Sequence, residues 1–435
     1  MPVLEGREEG LAARAEGGFC MIRIIRRTAL CSAAVLVGMA VPGATQQRSE
    51  PPIARYTMDA GTTSGMAAMG AGGGNPLALL RGGGGAAAHE LVLRLGSSQA
   101  ASGAPEADHF MPGGAGLGTS VPLVTPVRQP VTAGTTTYQA QPGQLPSGKL
   151  YIYWGCGERA GPGQPVVIDF AKMAAGQIPP NLFASVDVPD EWRVSEDNSK
   201  TYGDWPNGKD TKFVLANASL RGDHRIAGNY SPEIAFKLDR DFMPALQPRS
   251  SVLPSGAYSL AWNGLPEATG YYAWAMGAKD MGGGQPSEMV WWTSSSTQQF
   301  GGALADWLSP AAVSKLVASK TVMPPSQTDC AVPAEVRQAG GGAMMLNLYA
   351  YGPESDFAYP PRPADPKVTW KPDWITRVRF RSNAMVMLGM PDMGGLGAGD
   401  DAPEAQAEQA PPADARPKCP RGLKGVAARA AGLCG

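Results

Sequence analysis

Apolar residues along this chain recur mostly at every second position, in short runs broken by glycine and proline. That is the period of half-buried β-strands, not of helices. Strands are expected at 53–58, 89–95, 149–154, 164–170, 183–188, 213–219 and 234–238. More follow at 258–262, 271–276, 288–293 and 344–351, with a last long one within 374–388. Leu91, Leu93 and Leu95 share one face in this reading, as do Tyr258, Leu260 and Trp262. One stretch departs from the pattern. In 301–319, Ser309 before Pro310 makes an N-cap and first-turn pair, and Val313, Leu316 and Val317 follow at helical spacing.

Between the patterned runs, 61–88 is glycine-rich, and 96–147 has few large apolar residues. The latter is expected to be a linker or loop. Segment 195–211 is expected to be a polar loop turning at 204–208, 247–255 a linker, and 391–435 a disordered acidic tail with a short basic end. The fold class implied is mainly β: two β-sandwich-like domains, at 148–246 and 247–390, plus disordered Gly/Pro-rich segments. N-terminal strands with a Gly-rich loop (46–98) and a low-complexity linker (99–147) precede them.

The second domain carries a resemblance. Trp262, Pro266, Ala268 and Tyr271 follow the spacing of a buried Trp and a Pro-x-Ala-x-x-Tyr approach, and 344–351 (MMLNLYAY) is similar to a penultimate strand. In these residues, 250–385 resembles a fibronectin type III module. The resemblance implies a β-sandwich, and the helix at 301–319 is an embellishment that such a module lacks. The whole chain also resembles uncharacterised exported bacterial proteins, which implies no particular activity.

Composition narrows the function classes. Among 435 residues, Gly is 56 and Pro 40, so the ordered part must be turn-rich. Lys+Arg 37 against Asp+Glu 38 leaves no basic excess, which argues against nucleic acid as partner.

The N-terminal region points to export. Arg23, Arg26 and Arg27 form a basic region, 28–41 is apolar, and Gly43-Ala44 supply small residues for cleavage. Residues 21–45 are therefore expected to be a signal peptide, cleaved between about Ala40 and Gln46, and 1–20 a non-native upstream segment. Leu30 before Cys31 disfavours a lipid anchor. The mature chain has no expected transmembrane span, and its expected location is periplasmic or secreted. Four cysteines then remain: Cys156, Cys330, Cys419 and Cys434. An oxidising compartment allows two disulfides, with Cys419–Cys434 and Cys156–Cys330 as one pairing and free buried thiols as the alternative.

Candidate chemistry is sparse. The three histidines, His89, His109 and His224, have no metal-ligand spacing. Asp223-His224-Arg225 is the densest polar triplet and is read as a loop between strands. Glu196-Asp197-Asn198 and Asp204, Asn207 and Asp210 offer oxygen ligands without the full calcium-loop pattern. Met385, Met387, Met390 and Met393 have soft-metal spacing, though core packing explains the first two. No catalytic residue, metal or cofactor is assigned. The aromatics Tyr272, Trp274, Trp291 and Trp292 are the candidate ligand-binding residues. Alternation sends Trp291 and Trp292 to opposite faces, and any acquired function is expected where the 301–319 helix meets their strand. The leading expectation is a non-enzymatic exported binding or structural module, with an envelope component or a glycan as partner. The alternative is a carbohydrate-binding or glycan-hydrolysing protein that uses the Trp/Tyr surface.

Overall fold

The structure is a computed structural model that describes residues 48–71, 87–127, 148–175, 177, 186, 188, 193–282 and 285–389. In chain order its elements are β1 (Ala54–Gly65), α1 (Met66–Ala71), β2 (Ala88–Ser97), β3 (Ala107–Phe110), β4 (Ser120–Pro122), β5 (Lys149–Trp154), β6 (Val166–Asp169) and α2 (Phe170–Ala174). They continue with β7 (Thr201–Trp205), β8 (Gly222–Gly228), β9 (Ile234–Leu238), β10 (Arg249–Val252), β11 (Tyr258–Ala261), β12 (Gly270–Gly282) and β13 (Gln285–Thr293). The last are α3 (Pro310–Ala318), β14 (Asp329–Val332), α4 (Ala334–Ala339), β15 (Met344–Tyr359) and β16 (Trp374–Leu388). The protein is mainly β, with several sheets.

Among the described residues the strands form a nine-stranded sheet, β6-β5-β13-β12-β15-β16-β1-β2-β7, and two smaller ones, β10-β11-β14 and β4-β3-β8-β9. Most neighbours are antiparallel. Two pairs are parallel: β5 with β13, and β1 with β16. Parallel neighbours cannot be joined by a tight turn, so these pairings tie together distant stretches of chain. Strands from 148–246 and from 247–390 consequently share one sheet, and hydrogen bonding runs across the expected boundary between them.

A single hydrophobic cluster draws on all three sheets. Tyr56, Met58 and Ala60 of β1, Leu91, Leu93 and Leu95 of β2, and Val378 and Phe380 of β16 contribute from the large sheet. Ile226, Phe236 and Leu260 contribute from the small ones. The period-two pattern puts these residues on one face. Trp262 and Tyr271, on which the fibronectin resemblance partly rests, meet there edge to face with ring centres 5.5 Å apart. Their elements belong to different sheets, since Trp262 follows β11 while Tyr271 lies in β12.

The opposite face of the large sheet changes character along its width. Over β12 and β15 it is aromatic: Tyr272, Tyr349 and Tyr351 pack with Leu304, Leu308 and the α3 residues Val313 and Leu316. Over β16, β1 and β2 it is ionic. Asp59 is fully buried and takes both a two-pronged bond from Arg379 (2.7 and 3.1 Å) and a bond from Arg94 (2.7 Å). One row further along, Glu90 of β2 and Arg381 of β16 flank Gly61 of β1. Their side chains meet above it at 2.8 Å. A Cβ on Gly61 would lie 2.4 Å from the Glu90 Oε1, so only glycine lets this bridge cross the strand. The segment 303–308 caps the row, because Arg379 donates to the Trp307 carbonyl (2.9 Å) and Arg381 to that of Ala305 (2.8 Å).

Several expectations need correction. The 195–211 loop contains strand β7, and the 247–255 linker contains β10. The 96–147 segment contains β3 and β4, and β1 continues to Gly65 into the glycine-rich stretch. These strands are short or polar, so tertiary pairing rather than alternation defines them. Segment 213–219 is not a strand; its one β contact is an isolated bridge between Val214 and His89. The expected helix over 301–319 is split into a short 3-10 turn, Ala303–Ala305, and α3, where the Ser309 side chain accepts from the Ala312 N–H. The 183–188 strand, apart from Val186 and Val188, lies outside the described residues, as do 1–47 and 390–435.

Breaking a buried ion pair by removing one partner leaves the other charge uncompensated, at a cost of about 3–5 kcal/mol. Asp59→Ala is therefore expected to lower unfolding free energy by that amount in urea denaturation. A change below about 1 kcal/mol would show that the pair does not hold β1 between β2 and β16.

Candidate functional site: a disulfide-bounded cleft

Strand β5 ends against β13. There the Gly155 N–H donates to the Thr293 carbonyl (2.9 Å), and the Trp292 indole donates back to the Gly155 carbonyl (3.0 Å). Gly155 takes φ of 93°, a left-handed turn that suits glycine. The chain then passes to β14, with the Gly157 N–H on the Ala331 carbonyl (2.8 Å) and Cys156 joined to Cys330 as a disulfide. Cys419 and Cys434 lie outside the described residues.

Beside this disulfide opens a cleft of about 800 Å³. One wall is the 154–164 loop, with Trp154, Arg159 and Gln164. The others are Ser294 and Ser296, just past β13, and 317–327, which runs from the last turn of α3 onward. The described lining residues include two cations, Arg159 and Lys320, and no Asp, Glu or His. Glu335 stands behind Arg159 at 3.5 Å. Burial opposes ionisation of Glu335, but its own N–H, that of Ala160 and Arg159 together hold its carboxyl below the usual range.

Lys320 occupies an unusual place. Helix α3 ends in a Schellman arrangement, with the Thr321 N–H on the Leu316 carbonyl (2.9 Å) and the Lys320 N–H on the Val317 carbonyl (3.0 Å). The residue at the turn must be left-handed, and Lys320 has φ of 57°. It is the one non-glycine with positive φ among the described residues. Glycine is the usual occupant, and a side chain there costs on the order of 1 kcal/mol.

The residues expected to bind ligand lie elsewhere. Trp292 is fully buried in the main core and Tyr272 is 1% exposed on the opposite face, so neither offers a surface. Trp274 and Trp291 do come together, stacked with ring centres 4.7 Å apart, and both are half-buried. Trp291 is further covered by Phe300 and donates its indole N–H to the Gln299 carbonyl (3.1 Å). The expected opposition of Trp291 and Trp292 is present, and the 299–300 segment covers Trp291. The cleft does lie near the end of the Trp291-Trp292 strand and just past α3. The cysteines were its only advance signal; Arg159, Gln164 and Lys320 have no motif.

The other candidates also find places. Asp223-His224-Arg225 is not a loop but part of β8, with His224 turned inward and its neighbours exposed. Of the oxygen-ligand candidates, Asp204 accepts from the Tyr202 hydroxyl (3.2 Å) and Asp210 pairs with Lys212 (2.9 Å). Among the described residues no group of three or more His, Cys, Asp or Glu is placed to hold a metal. Met385 and Met387 lie on β16; Met390 and Met393 fall outside the described residues. No described helix is long and apolar enough to cross a membrane.

Sequence reasoning missed a buried hydrogen-bonded chain. Tyr56, His109 and His224, each at most 1% exposed, line up from β1 through β3 to β8. Tyr56 Oη lies 2.7 Å from His109 Nδ1, His109 Nε2 lies 3.0 Å from His224 Nδ1, and His224 Nε2 lies 2.7 Å from the Leu220 carbonyl. A carbonyl only accepts, so His224 carries its proton on Nε2, which leaves Nδ1 to accept from His109, and His109 Nδ1 to accept from the tyrosine. Every bond is satisfied with both rings neutral. Burial lowers both histidines' pKa; the neighbouring His224 lowers that of His109 further, while the Leu220 carbonyl and Asp223 partly offset the effect on His224.

Comparison of the chain with protein-family models, with curated proteins and with solved structures finds no match.

The histidine chain sets a pH dependence. The unfolded chain takes up protons near pH 6.5, whereas the folded state holds both rings neutral to lower pH. Stability is thus fully present above about pH 6.5 and declines as pH falls below it, by about 1.4 kcal/mol per pH unit for each ring kept neutral. Burial holds the Glu354 carboxyl up at about 7, which acts in the opposite direction over the same window, so the readout is a difference. Between pH 7.5 and 5, urea midpoints of the His109→Leu, His224→Leu double variant are expected to lose less with falling pH than those of the parent. Equal slopes would remove the histidines as its cause.

Proposed function

We propose that the protein is exported and acts as a non-enzymatic binding module of the cell envelope or its surroundings, with the cleft beside Cys156–Cys330 as its ligand site. The observation that carries this reading is the disulfide forming the edge of an open cleft. Such a bond persists in an oxidising compartment, in keeping with the basic and apolar pattern of 21–45. Trp154, Gln164, Gln327, Ser294 and Ser296 around the cleft supply the mixture of aromatic surface and hydrogen-bonding groups typical of binding sites. Glycan hydrolysis characteristically uses a pair of carboxylates across the scissile bond, and the described lining has none. Binding is therefore favoured over glycan hydrolysis. The fibronectin type III resemblance of 250–385 fits the same proposal, as a sandwich-derived binding scaffold with α3 added.

Expression of the full chain in a bacterial host, followed by fractionation and mass measurement of the N-terminus, tests the export half. The expected species is oxidised, outside the cytoplasm, and begins between residues 41 and 46. Accumulation of an uncleaved chain in the cytoplasm would contradict it.

A further inference from the structure

We propose that the cleft takes an acidic saccharide, whose carboxylate is held by Lys320 and Arg159 and whose ring lies against Trp154. The proposal rests on the binding function above and specifies its ligand class. Three observations carry it.

The first is charge. The chain as a whole is nearly neutral, yet the described cleft lining carries Arg159 and Lys320 with no carboxylate among them. Arg159 is only loosely engaged, at 3.5 Å from Glu335 with 70% of its side chain exposed. The Lys320 ammonium has no partner among the described residues. Two under-used cations in one cleft match an anion.

The second is hydrogen-bond accounting. Gln164 Oε1 accepts from the Trp154 N–H (2.8 Å), which leaves its amide NH₂ to donate. Gln327 donates to the Asp329 carbonyl (3.0 Å), which leaves its Oε1 to accept. Ser294 Oγ accepts from the Ala273 N–H (2.9 Å), and its proton remains to donate. Ser296 donates to the Lys320 carbonyl (2.9 Å), so its oxygen can still accept. The lining residues thus offer both spare donors and spare acceptors beside the aromatic Trp154, as a hydroxyl-bearing ring requires.

The third is the cost of Lys320. A lysine in the left-handed turn after α3 is conformationally worse than glycine. A cation near the helix C-terminus is favourable, but Lys315 in the last turn already supplies one without the strain. What Lys320 adds is a cationic side chain on a residue that lines the cleft. Backbone strain retained at such a point marks a functional position.

The test is calorimetry on the oxidised full chain with trigalacturonate, trimannuronate and galactotriose at low salt. Expected are binding of at least one uronate trimer, about tenfold or more weaker binding of the neutral trimer, and weakening of the acidic complex by added NaCl. Lys320→Gly is expected to weaken uronate binding about tenfold while the thermal midpoint stays level or rises, so misfolding does not explain the loss. Lys320→Arg should retain binding. Equal affinity for the neutral trimer, or unchanged uronate affinity in Lys320→Gly, would overturn the acidic-saccharide assignment and leave the binding function standing. No binding of any of the three would count against both.

Discussion

The parallel pairing of β5 with β13 is the constraint on which the cleft depends. It carries 149–154 alongside the central strands and delivers Gly155 to the Trp292 indole. From there Cys156 needs only one residue to meet Cys330. The disulfide then closes a sequence separation of 174, which on chain-entropy grounds restricts the unfolded chain by about 5 kcal/mol. The cleft is the space left between this clamp, the end of β13 and the end of α3. Its walls come from three segments, one of them far in sequence from the other two, and none of them would form it alone.

The second parallel pairing, β1 with β16, has a different consequence. One face of the sheet joins the shared core, but the other becomes ionic where β2, β1 and β16 lie side by side. Asp59 is compensated by arginines on the strands either side of it, and Glu90 by Arg381 across the intervening β1, where Gly61 leaves the room. Burying such groups unpaired would be expensive, so the arrangement fixes which strands can be neighbours. The 303–308 segment completes the hydrogen bonding and at the same time covers the aromatic part of the face. Stability of the sheet and placement of α3 are thus linked through the same few residues.

Strands with regular alternation were legible in the sequence. β5 and β9 fall where Lys149–Trp154 and Ile234–Leu238 alternate, and the Ser309-Pro310 pair marks the start of α3. β7, β8 and β10 were not, because TYGDW, GDHRIAG and RSSV lack a sustained apolar face. The long-range pairings were also beyond reach, since β1 with β16 and β5 with β13 join stretches far apart in the sequence. The same holds for chemistry. His109 and His224 are 115 residues apart in sequence, and 3.0 Å apart in the fold. Aromatic density drew attention to Trp291 and Trp292, but dense aromatics mostly build cores. The cleft residues are ordinary in the sequence and become a site only through the clamp.

Because the clamp links oxidation, export and the cleft, its covalent state is the most direct test. The purified exported protein would be alkylated without reduction, digested and mapped by mass spectrometry. The expected result is a linked peptide pair containing Cys156 and Cys330. Alkylated Cys156 and Cys330, or their bonding instead to Cys419 or Cys434, would contradict it.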